Sequence, residues 1–106
     1  MILGGMDNRM EFITGKNEVD LFENLVESQN LTVTHLALDK GQVVPQHFVD
    51  ANVVVVPVKG KVEFYKEDGS FQVIQAGMIV TMNPNEKHSL KALEKADIMV
   101  IKMHLK

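Results

Sequence analysis

Residues 41–60 read GQVVPQHFVDANVVVVPVKG. Two glycines, Gly41 and Gly60, bracket the stretch. Between them, Val53–Val58 is a short continuous apolar run, the pattern of a strand covered on both faces. Pro57 has no N–H to give to a ladder, so an edge or a bulge is expected there. Gly60 ends the run. His47 stands upstream of it, with Gln46 on the opposite side of an extended chain. A second stretch, residues 77–88, reads GMIVTMNPNEKH. Met78–Met82 is strand-like, Asn83-Pro84-Asn85 is loop chemistry, and the stretch ends on His88.

Outward from these stretches the β pattern continues. Leu31–Leu38 is rich in β-branched residues, and Asp39-Lys40-Gly41 reads as a turn. Lys61–Tyr65 alternates polar and apolar residues. The Asp68-Gly69 pair favours a tight hairpin leading into Phe71–Ile74. His88–Ala92 and Asp97–His104 are the last two strand candidates. Short strands at this rhythm predict an all-β sandwich or barrel in one domain, residues 10–106. One short helix is expected over residues 20–29, capped by Asp20, with Leu21, Phe22, Leu25 and Val26 at roughly helical spacing. A strand is the alternative there. Residues 1–9 are expected to be a flexible tail.

Composition bounds the function classes. A chain of 106 residues that is 45% hydrophobic fits one compact core and is far from the disordered class. A net charge of −3 and a pI of about 5.7, with no Lys/Arg cluster, leave a nucleic-acid partner without its electrostatic footprint. The absence of cysteine excludes disulfides and thiol catalysis. No apolar run approaches the ~20 residues of a membrane helix, and MILGGMDNRM lacks the apolar core of a signal peptide. A cytoplasmic protein without a membrane partner is expected.

The two stretches resemble the paired motifs of the cupin superfamily, G-x5-H-x-H-x3-E-x6-G and G-x5-P-x-G-x2-H-x3-N. Gly41, His47 and Gly60 match the first without a gap. Val49 stands at its second His and Val53 at its Glu. Gly77 and His88 match the second. Asn83, Asn85 and Ala92 stand at its Pro, Gly and Asn. The string His88-Ser89-Leu90-Lys91-Ala92-Leu93-Glu94 is similar to small single-domain cupins of unassigned function. The resemblance implies a cupin barrel, also described as a double-stranded β-helix or jelly roll. In that family a divalent transition metal (Fe, Mn, Ni, Cu or Zn) is held by three imidazoles and a carboxylate in the barrel mouth. It also implies a homodimer, and the apolar β surface of a small barrel points the same way.

The candidate ligand pocket is therefore His47, His88, Val49 and Val53. His47 and His88 are the candidate metal ligands, an incomplete shell for a transition metal. His35 and His104 are weaker candidates from neighbouring strands. His35 shares parity with Leu31, Val33 and Ala37; His104 shares it with Ile98 and Val100. A lone strand histidine is more often exposed or hydrogen-bonded. Asp50 and Asn52 do not fill ligand slots. Met78, Met82, Met99 and Met103 read as core packing. Hydrolase, nucleotide and zincin motifs are absent. The favoured function is a degenerate cupin that binds a small organic ligand in an apolar pocket with two histidines at one end. The alternatives are a metal-dependent dioxygenase or isomerase using His47 and His88, and a protein-interaction module.

Overall fold

The computed structural model describes residues 10–17 and 19–104. The tail expected over residues 1–9 lies outside them. Among the described residues the chain forms nine strands and no helix. They are β1 Phe22–Glu27, β2 Leu31–Leu38, β3 Val43–His47, β4 Asn52–Lys59, β5 Val62–Lys66, β6 Phe71–Ile74, β7 Val80–Met82, β8 His88–Ala92 and β9 Ala96–Met103. All pairings are antiparallel. One sheet has the order β1-β2-β9-β4-β7 and the other β3-β8-β5-β6.

The period of two in the strands builds the core between the sheets. Leu38, Val53, Val55, Val62, Phe64, Ile74, Leu90 and Ile98 are buried in one cluster. Val54 and Val56, between the inward valines, are half-buried on the other face. This two-sided cover is why β4 reads as an unbroken apolar run. Pro57 is accommodated by a bulge. Strand β7 pairs only with Val53–Val55, and the ladder to β9 shifts between Pro57 and Lys59. The missing N–H of Pro57 therefore interrupts no regular ladder, although β4 is an interior strand.

The helix expected over residues 20–29 is not formed; the segment is strand β1. Its ladder to β2 shifts between Asn24 and Val26. This irregularity lets Leu25 and Val26, neighbours in sequence, both be half-buried. Adjacent apolar residues imitate helical spacing, and pairing with β2 overrides the weak local preference. The Asp68-Gly69 hairpin forms as expected. Gly69 has φ +91°, and the Asp68 carboxylate accepts from the Ser70 N–H at 2.9 Å and its hydroxyl at 2.7 Å.

Candidate functional site

His47 closes β3 and His88 opens β8, and the two are partners in register. Directly opposed residues share a face, which is how strands far apart in sequence bring these rings together. Their centroids are 4.2 Å apart with a 58° tilt. His88 also lies parallel to Phe64, at 5.5 Å and 4°. His47 is exposed and His88 buried. The Nδ1 of His47 lies 3.0 Å from the Pro45 carbonyl, and that of His88 3.0 Å from the Glu86 carbonyl. A carbonyl only accepts, so each Nδ1 carries the proton and Nε2 is the nitrogen left for a ligand. Burial holds His88 below the ordinary imidazole pKa; the Glu86 carbonyl opposes this and the nearby His47 reinforces it.

Behind the histidines, between the sheets, is a cavity of about 110 Å³. Val49 and Val53 line it, with Thr34, Leu36, Val44, Val55, Leu90, Ile98 and Val100. The four pocket residues read from the sequence thus come together. The loop before β8 is tied to this wall, because the Asn85 N–H donates to the Val49 carbonyl at 2.8 Å. Asn85 occupies the motif's second glycine position and has φ +68°. Asparagine tolerates that left-handed conformation better than other non-glycine residues, so the replacement keeps the loop geometry.

The weaker candidates stand elsewhere. His104 follows the end of β9, where its N–H donates to the Asn30 carbonyl. It does not line the cavity. His35 does share parity with Leu31, Val33 and Ala37, but that face of β2 is the outer one; the inward residues are Thr34, Leu36 and Leu38. There His35 is only 4% exposed. Its Nδ1 meets Glu23 Oε2 at 2.7 Å and its Nε2 meets Asp97 Oδ1 at 2.8 Å. Gly15 covers the ring, and the Lys16 N–H donates to the same Glu23 oxygen at 2.8 Å. His35 ties β1 to β9 across β2 and does not line the cavity.

The lining also contains Phe64 and Lys102, which the sequence did not mark, and Met82, which read as core packing. Lys102 was legible in principle, because it continues the Ile98, Val100 parity that drew notice to His104. A wider groove of about 740 Å³ runs between β6 and β7. Phe64, Met82 and His88 border both spaces.

The donor set fits a resident metal poorly. His47 and His88 supply two imidazoles, and positions 49 and 53 carry valine. Among the described residues no carboxylate lines the cavity, and no group of three His, Cys, Asp or Glu side chains is placed to hold a cation. Lys102, also in the lining, adds a positive charge to the site where a divalent ion would need negative ones.

No family model matches the sequence, and no curated protein matches it. Solved structures do resemble the fold. An RmlC-like cupin with a double-stranded β-helix fold from Methanocaldococcus jannaschii aligns with a TM-score of 0.79 at 21% identity, over 90% of this chain and 91% of the other. An RmlC-like cupin from Desulfovibrio desulfuricans gives 0.79 at 17% identity, over 90% and 97%. A protein of unknown function from Streptococcus pyogenes gives 0.73 at 24% identity, over 93% and 99%. The two facing antiparallel sheets, the strand order and these likenesses agree: the chain has the cupin fold.

Proposed function

We infer that the protein binds a small organic molecule inside the barrel and that its metal site is degenerate. The observation carrying this reading is the apolar cavity behind His47 and His88, with valine at two of the usual ligand positions. Its volume of about 110 Å³ lies between the ~30 Å³ share of one water and the ~150 Å³ cavity that holds benzene. A guest of roughly four to six non-hydrogen atoms follows. At a ceiling of about 1.5 kcal/mol per atom, a five-atom guest binds at best with a low-micromolar Kd.

The test is a methyl NMR titration with a panel of charged and neutral molecules of that size. Shifts are expected at Val49, Val53, Val55 and Leu90. Val53→Phe should fill the cavity and abolish them; Val49→Phe, nearer the mouth, serves if the first variant folds poorly. Shifts absent, or scattered over the surface, would remove the reading. Stoichiometric metal retained without chelator, and lost in both His47→Ala and His88→Ala, would replace it with the metal-dependent enzyme.

The homodimer belongs to the same proposal. Strand β1 is a sheet edge; its first residue, Phe22, is 52% exposed, and Phe12 in the preceding segment is 91% exposed. Sedimentation equilibrium is expected to give twice the chain mass, and a monomer at high micromolar concentration would sink this part.

A further inference from the structure

We propose that the guest of this cavity is an anion, a short-chain carboxylate held by Lys102. The proposal rests on the small-ligand reading above and adds the chemical class. Lys102 stands on β9 on the same face as Ile98 and Val100, which line the cavity with it. Its register partner on β4 is Val53. The motif places a carboxylate at position 53, where it would help hold a cation. Here that carboxylate is gone and a lysine is the register partner of the vacated position, so the sign of the charge contributed there is reversed.

Among the described residues no Asp or Glu lines the cavity, and Lys102 forms no ion pair. A half-buried cation on an apolar wall attracts an anion far more strongly than one in bulk water. The valines accept a short hydrocarbon tail, and Lys102 and the two histidines are the lining groups able to face a carboxylate head. Size limits the acid to about three or four carbons in all, counting the carboxyl carbon.

The experiment is an NMR titration with butyrate, butyramide and butylamine, similar in size and different in charge. Butyrate is expected to bind at least tenfold tighter than butyramide at pH 6, and butylamine least. Lys102→Met keeps the stem without the charge and should erase the preference, bringing butyrate affinity down to that of butyramide. Lys102→Arg should retain it. Equal binding of butyrate and butyramide by the wild type, or a preference that survives Lys102→Met, overturns the anion assignment and leaves the small-ligand reading standing. Binding by none of the three, nor by any member of the wider panel, overturns both. Far-UV circular dichroism of each variant verifies that it is folded.

Discussion

Alanine at position 60 is expected to destabilise the fold by about 2–5 kcal/mol, a large share of the ~5–15 kcal/mol that holds a domain together. Gly60 turns β4 into β5 with φ +79°. A side chain in that region costs about 1–2 kcal/mol in backbone strain alone. Space is the larger obstacle. A Cβ there would lie 2.2 Å from the Lys95 carbonyl oxygen and 2.8 Å from Ala96 Cα. Both are backbone atoms and cannot step aside as a flexible side chain does, so overpacking adds a further ~1–3 kcal/mol. Ala96 is itself 1% exposed and pairs with Leu38, so a displacement passes into the β2–β9 ladder. Gly41 is the control. It has a similar φ of +84°, but a Cβ there meets nothing within 4 Å. Urea unfolding of Gly41→Ala and Gly60→Ala separates strain from clash, and equal losses would refute the packing argument.

Removing the His35 ring is expected to lower stability by about 2–4 kcal/mol near pH 6, because it leaves two carboxylates without their shared donor. Both ring nitrogens face carboxylate oxygens, so both carry protons and His35 is an imidazolium in the folded state. Burial alone would lower its pKa. The hydrogen bonds to Glu23 and Asp97, with their charges, outweigh burial and raise it. A raised folded value means that the stabilisation is complete below the ordinary imidazole value of about 6.5 and is lost as pH climbs through the folded one. Glu23 acts in the opposite sense. The His35 hydrogen bond, then the Lys16 N–H, lowers its pKa, so its share is present above the ordinary carboxylate value and lost in acid. The cluster should therefore stabilise most at mildly acidic pH. The stability gap between wild type and His35→Gln, measured by urea unfolding, should shrink from pH 6 to pH 9. A gap that widens over that range would contradict the imidazolium assignment.

These two positions also mark what the sequence made legible. The spacing of Gly41, His47, Gly60, Gly77 and His88 carried the barrel, because each residue sits where chain geometry is demanding. Glycine stands at positive φ, and the histidines face each other in register. Strands β2, β6 and β8 were readable to the residue, since turns and alternation delimit them. Strand β1 was not, because its irregular pairing puts two adjacent apolar residues under cover. His35 was assigned the correct parity and not its side of the sheet. The apolar character on both faces of β2 erased the alternation that would have named the inward one. Lys102 was passed over because a strand-end lysine ordinarily faces water, and only the opposing sheet shows that its face is enclosed.

The two sheets are not laced together all the way round. Strand β6 ends one sheet and β7 ends the other, and neither pairs with the other across the groove between them. At its inner end the partition from the cavity includes Met82, Phe64 and His88. A thioether side chain has three rotatable bonds and adjusts without moving the backbone. A guest of the proposed kind passing along this seam would break no ladder hydrogen bond. Met82, Phe64 and His88 are all buried, so a guest of the proposed kind would exchange only as fast as these packed side chains open, with no strand having to unpair.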